Sequence, residues 1–251
     1  MPTTGPHAGK CCVAPPADEY ASVGREVADI GGLPAYLTGS PSAASALLFI
    51  SDIYGWKVPQ TRRLADKVAL EGGFLVVLPD FMEDDFFASS NPDNPYEGLD
   101  VYLAKHSQAK AIVEASKIIE ELNRQGFKRV GVVGFCWGGK ITVSLINGST
   151  KVDASVMLHP SFLLEEEIQA VKVPLAILGA EIDEITPPQM ANEFGAILAK
   201  IPEVQGKTMV KIFEGGDHGF STRYDPQDAE AVARATEACN DMINWFQKYC
   251  L

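Results

Sequence analysis

From about residue 46 onward, two hydrophobic rhythms alternate along the chain. Short apolar-rich runs at 46–50, 74–78, 130–135, 154–158, 173–178 and 207–213 predict strands. Those at 46–50 and 130–135 are unbroken enough to be buried on both faces, as in a parallel sheet. Between them, apolar residues recur at helical spacing over 60–71, 104–125, 141–146, 165–171, 187–201 and 228–249. Gly72-Gly73 stops the first of these helices, and Thr186 with Pro187 reads as an N-cap followed by a first-turn proline. Before this alternation, 23–30 and 33–37, broken by Gly31-Gly32, predict a hairpin. Strand and helix in strict alternation imply a mostly parallel α/β sheet with helices on both faces, built as one domain over residues 23–251. Residues 1–22, rich in Pro, Gly and Ala, predict an irregular arm.

One segment breaks the rhythm. Residues 79–103 carry seven carboxylates, no Lys or Arg, and the aromatics Phe81, Phe86, Phe87, Tyr96 and Tyr102. Such a segment is either a lid over a site or a solvated acidic excursion.

Composition excludes several partner classes. A formal net charge of −12 argues against nucleic acid and against an anionic membrane surface. No apolar run is long enough to span a bilayer, and the first residues lack the basic region and apolar core of a secretory signal. Five cysteines, an odd number without such a signal, suit a reducing compartment, so the expected location is cytoplasmic. Cys11-Cys12 has no second Cys/His pair at zinc-site spacing, and no metal or organic cofactor is implied.

The candidate chemistry begins where the 130–135 run enters Gly134-Phe135-Cys136-Trp137-Gly138. This is the G-x-nucleophile-x-G elbow, with cysteine at its centre. A sharp strand-to-helix turn crowds the backbone on both sides, which requires glycine there. It presents the central side chain at the sheet tip, beside a helix N-terminus. Two later loops leave the carboxyl ends of strands, where open α/β sheets keep their sites. One holds Glu181, Asp183 and Glu184, and the other reads Gly215-Gly216-Asp217-His218-Gly219. Nucleophile, acid, histidine is the order α/β-hydrolases use. Taken singly, Asp183 also suits a turn and His218 a structural hydrogen bond, and Glu181 and Glu184 compete for the acid's place. His7 falls in the arm and His106 on a helix, while His159 follows a strand and suits either a pocket or a structural role.

Together, the cysteine elbow, Asp183 in its loop and Asp217-His218-Gly219-Phe220 resemble the dienelactone hydrolase (carboxymethylenebutenolidase) family of α/β-hydrolases over roughly residues 20–250. The Cys11-Cys12 and Pro15-Pro16 arm is similar to that of its plant and fungal branch, some plant members of which are called β-glucanases. The resemblance implies an α/β-hydrolase fold with Cys136 as nucleophile, His218 as base and Asp183 orienting the histidine. In this fold the backbone N–H groups of Ile53 and Trp137 form the oxyanion hole.

The expected substrate is a small ester or lactone, the expected partner set contains no nucleic acid and no membrane, and the expected state is a monomer or weak homodimer. Similar bacterial enzymes place a glutamate that contacts the cysteine where this chain has Asp52, one methylene shorter. They also clamp a substrate carboxylate with two arginines. The first is absent from Pro79–Asp85 here, and the second corresponds to Arg223, which is either a surviving anion contact or a surface residue. With Lys57 as the other nearby cation, the pattern predicts a neutral substrate held by the aromatics of 79–103. Two rival functions remain: a glycan-cleaving enzyme, which needs two carboxylates facing one bond, and a lactone sensor that binds without turnover.

Overall fold

The computed structural model describes residues 14–16, 18–89, 91 and 93–251. His7, Cys11 and Cys12 lie outside the described residues. The strands β1 (Arg25–Ile30), β2 (Leu33–Thr38), β3 (Ser45–Ile50), β4 (Leu75–Pro79), β5 (Arg129–Phe135), β6 (Ala154–Leu158), β7 (Leu175–Ile182) and β8 (Thr208–Asp217) form one eight-stranded sheet. Its order is β1-β2-β4-β3-β5-β6-β7-β8. The hairpin edge is antiparallel, β2 pairing β4, and every pairing from β4 to β8 is parallel. This is the α/β architecture that the alternating rhythm predicts.

β5 shows why its sequence is apolar after Arg129. Val130 and Val132 face one core, which also holds Ile118 and Leu122 of α3 (Gln108–Arg124) and Ile141 and Leu145 of α4 (Trp137–Asn147). Val133 and Phe135 face the other, with Val68 of α1 (Pro59–Gly72) and Met242 and Phe246 of α7 (Ala229–Cys250). Successive side chains point to opposite faces, so a strand covered on both sides must be apolar at every position.

Several boundaries depart from the sequence expectation. The 104–125 helix is two helices, α2 (Leu99–Lys105) and α3. α2 ends at His106, whose ring meets Asp85 at 2.9 Å and packs tilted against Tyr102 at 4.5 Å, and the Ser107 side chain then caps α3 by accepting from the Lys110 amide. α5 (Glu165–Gln169) and α6 (Pro188–Leu198) are shorter than predicted. Thr186 does not cap α6; its hydroxyl donates to the Pro160 carbonyl at 2.7 Å. β7 and β8 run further, because Gly179, Ala180 and Ile182 pair with Ile212, Phe213 and Asp217 across a register shift. Asp183 and His218 therefore stand immediately beyond the last paired residues of neighbouring strands.

Of the seven carboxylates of 79–103, three are ion-paired, while Asp93, Glu97 and Asp100 stay exposed. Asp84 pairs with Lys57 at 2.8 Å, Asp85 with Lys105 at 2.5 Å, and Glu83 with Lys110. The counter-charges lie outside the segment, Lys57 before it and Lys105 and Lys110 after it, so its own composition does not show them. Phe81, Phe87 and Tyr102 are buried, with Phe87 edge-on to Tyr102 at 5.5 Å. Of the arm, the described residues 14–16 and 18–22 carry no helix or strand, and Tyr20 donates to Asp66 at 2.9 Å on α1.

Candidate active site

Cys136 sits at φ 50°, ψ −112°, the strained turn between β5 and α4. A Cβ on Gly134 would lie 2.4 Å from the Gly138 carbonyl oxygen, and one on Gly138 would lie 2.2 Å from that of Ile50. Only glycine fits at either place. The Cys136 amide donates to Leu158 O at 3.2 Å, and its carbonyl accepts from Gly139 at 3.0 Å and Ser161 at 2.9 Å. The elbow is thus tied to the end of β6 as well as to its own helix.

His218 Nδ1 lies 2.7 Å from Asp183 Oδ2, and both side chains are buried. The other Asp183 oxygen accepts from the amides of Ile185 at 2.8 Å and Thr186 at 3.0 Å, which fixes the carboxylate independently of the histidine. The rivals are elsewhere: Glu181 is exposed and accepts from the Gly215 amide at 2.7 Å, while Glu184 makes no contact with His218. With Nδ1 held by Asp183, Nε2 is turned to the Cys136 side, where it and Sγ both approach the Ser161 hydroxyl, at 3.4 and 3.5 Å. Burial pulls the His218 pKa down, but the Cys136 sulfur and the Asp183 carboxylate more than offset this and hold it up at about 10.

Ser161 was not among the sequence candidates. Its hydroxyl lies 3.5 Å from Cys136 Sγ and 3.4 Å from His218 Nε2, fully buried between them. The signal for it was topological: it follows β6, the neighbour of the elbow strand, at the carboxyl end. His159, on the same turn, is wholly buried, with Nε2 2.7 Å from Ser221 Oγ and its ring 5.3 Å from that of His218. Burial and the neighbouring positive groups push its pKa well down, so it stays neutral.

Trp137 N–H is the first amide of α4, a position without an intrahelical acceptor, and the Trp137 ring packs under the elbow at 6.5 Å from Phe81. Ile53 lies beside Cys136 on a small crevice. The remaining crevice walls are Leu99, Leu103, Ser161, Phe162 and Ile185, and the space encloses about 20 Å³, on the scale of one water molecule. The expected aromatic lining is therefore replaced by aliphatic residues of α2 and by Phe162; of the aromatics of 79–103, Phe81, Phe87 and Tyr102 went into the core and Phe86 is exposed. A larger cavity of about 650 Å³ borders His218, Arg223 and Arg234, but neither Cys136 nor Ser161 lines it.

Asp52 and Arg223 are both buried and face each other, Arg223 Nε to Asp52 Oδ2 at 3.4 Å. Asp52 also accepts from the Tyr54 amide at 3.0 Å and the Thr222 hydroxyl at 3.3 Å, and shows no bond to Cys136 among the described residues. Burial pushes its carboxyl up, opposed by Arg223. Arg223 further donates to the His218 carbonyl at 3.1 Å. It is neither a surface arginine nor an uncompensated cation. Lys57 is spent on Asp84. Among the described residues no cluster of three or more His, Cys, Asp or Glu could hold a metal ion, and no helix is long and apolar enough to cross a membrane.

The sheet order, with an elbow after the fifth strand and an acid and histidine after the seventh and eighth, places the molecule among the α/β-hydrolases. The sequence profile of the dienelactone hydrolase family matches residues 33–250; the chain belongs to that family and is an ester or lactone hydrolase. A Homo sapiens carboxymethylenebutenolidase homolog is 30% identical over 241 residues, covering 92% of this chain and 93% of that protein. A Zea mays protein named endo-1,3;1,4-beta-D-glucanase is 32% identical over 240 residues, covering 93% of this chain and 76% of that one. In three dimensions, the dienelactone hydrolase of Anabaena variabilis matches with a TM-score of 0.63 at 15% identity, over 93% of this chain and 100% of that one, a likeness of fold.

Proposed function

We propose that the protein cleaves small neutral esters or lactones through a thioester on Cys136. The observation that carries this reading is the strained elbow cysteine facing a histidine whose far nitrogen is held 2.7 Å from a buried carboxylate. With the proton held on His218 Nε2, the Cys136 sulfur attacks the substrate carbonyl. The Ile53 and Trp137 amides receive the charge that develops on the carbonyl oxygen. As the tetrahedral intermediate collapses, Nε2 returns the proton to the leaving alkoxide, giving alcohol and thioester. His218 then takes a proton from water, the hydroxide attacks the thioester, and Cys136 departs as thiolate while the acid is released. Thiolate leaves more readily than an amine, so activated esters and lactones suit this site better than amides.

Neutrality of the substrate follows from charge accounting at the mouth. Arg223 is already balanced by Asp52, and the crevice lining is apolar. A carboxylate would be desolvated there without a dedicated counter-ion. The small crevice also requires α2 or Phe162 to shift before an acyl group enters. Glycan cleavage fits less well, because that chemistry needs two carboxylates across one bond and none lines this crevice.

The test is a panel of esters, lactones and a mixed-linkage glucan assayed with wild type and Cys136→Ala. Ester or lactone turnover lost in Cys136→Ala is the expected result. Retained ester turnover, or glucan cleavage by the variant, refutes the reading, and acyl labelling without steady-state release would indicate a sensor instead.

A further inference from the structure

The turn after β6 is built in an unusual way. His159 and Phe162 both carry positive φ, 37° and 64°, flanking Pro160-Ser161. Neither is glycine, so the arch is strained at both ends and is held by its surroundings. His159 N–H donates to Leu178 O at 2.8 Å, its ring meets Ser221 at 2.7 Å, Thr186 bonds Pro160 O at 2.7 Å, and the Ser161 amide donates to Cys136 O at 2.9 Å. Four separate elements therefore fix one short arch. Its effect is to place the Ser161 hydroxyl in contact with the two atoms between which the proton moves. A residue needed only to fill that space would carry a methyl group there; a buried hydroxyl without good partners would cost stability.

We infer that Ser161 is a catalytic residue whose hydroxyl stabilises the thiolate–imidazolium form of the Cys136–His218 couple. This rests on the proposed role of Cys136. A hydroxyl is at once a donor and an acceptor. When the Sγ–H bond breaks and the Nε2–H bond forms, Ser161 donates its own hydrogen to the negative sulfur and accepts from the positive ring, and its O–H bond stays intact. In the neutral form the hydroxyl reverses, donating to Nε2 and accepting from the weak Sγ–H donor; the charge-separated form is favoured because both of its contacts are then charge-assisted. The distances of 3.5 and 3.4 Å place each contact at the weak end of such bonds. The expected effect is about tenfold on the equilibrium between the two forms.

The experiment measures the rate of Cys136 alkylation against pH, by peptide mapping, in wild type, Ser161→Ala and Ser161→Thr, with iodoacetamide, which follows the thiolate on the lower limb, and with anionic iodoacetate, whose rate falls on the upper limb as the imidazolium is lost. Losing the hydroxyl should narrow the ion-pair window from both sides. The lower limb moves to higher pH because the thiolate loses a donor, and the upper limb moves to lower pH because the imidazolium loses an acceptor. The two displacements together amount to about one pH unit, and Ser161→Thr restores the wild-type profile. A purely structural hydroxyl would reduce thermal stability and leave both limbs in place, and that result overturns the inference. Should Thr pack badly in so buried a position, the Ala profile and its melting temperature alone decide between the two outcomes. Cys136→Ala serves as the separate control. If it retains ester turnover, the thioester reading itself fails; if it is inactive while Ser161→Ala keeps both limbs, only the role of Ser161 fails.

Discussion

Asp183 offers a way to separate chemistry from folding at one residue. Its Oδ1 accepts the Ile185 and Thr186 amides and its Oδ2 meets His218, so the two oxygens have different duties. Asp183→Asn keeps an oxygen for the two amides and puts an NH₂ group opposite Nδ1. The imidazole must then present Nδ1 as acceptor, which leaves its hydrogen on Nε2, where a base is needed. A wrong tautomer of this kind lowers kcat by about 10³–10⁴, equivalent to roughly 4–5.5 kcal/mol of transition-state stabilisation. The fold loses one charge-assisted hydrogen bond, about 1.5–3 kcal/mol, or about 3–12 °C in melting temperature for a domain of this size. Asp183→Ala should be equally inactive but less stable by roughly a further 2–6 kcal/mol, since two buried amides also lose their acceptor. The pH dependence carries a sign. The His218 pKa is held above its ordinary value, at about 10, so the stabilisation is complete below about pH 6.5 and fades as pH rises through 10. Removing the carboxylate should bring that fade to lower pH. Steady-state kinetics and thermal melts from pH 6 to 10, with Glu181→Gln as control, test all of this. A kcat for Asp183→Asn within tenfold of wild type, or a crippled Glu181→Gln, would refute the argument.

Iodoacetamide should abolish activity in step with modification of Cys136, because burial pushes Cys239 and Cys250 up to about 12 and leaves them inert at neutral pH; activity lost with the Cys136 peptide unmodified contradicts this. A neutral lactone should show higher kcat/KM than its carboxylate-bearing analogue at low and high salt. If the anion wins throughout and Arg223→Ala removes its advantage, Arg223 is an anion clamp despite Asp52. Leu103→Ala should widen the crevice and raise kcat/KM for a bulky acyl ester relative to its acetyl counterpart by about tenfold, measured as a ratio so that stability losses cancel. An unchanged ratio would show that α2 is not the barrier.

What the sequence by itself determined was local in origin. Burial on both faces wrote itself into β3 and β5 as unbroken apolar runs, and the elbow was legible because its sterics demand glycine at Gly134 and Gly138. The order of Cys136, Asp183 and His218 was readable because each follows a strand end. Other features depended on residues distant in the chain. Asp183 was separated from Glu181 and Glu184 only by which carboxylate the β7–β8 pairing set beside His218. The acidic run Glu83–Asp85 was neutralised once Lys57, Lys105 and Lys110 met Asp84, Asp85 and Glu83. Arg223 could not be placed until Asp52, on a loop at the far end of the sequence, closed against it. Ser161 had no motif at all. A side chain that acts by standing between two others has no requirement on its own neighbours, so only the packing of β6 against β5 and β7 brings it to the thiol.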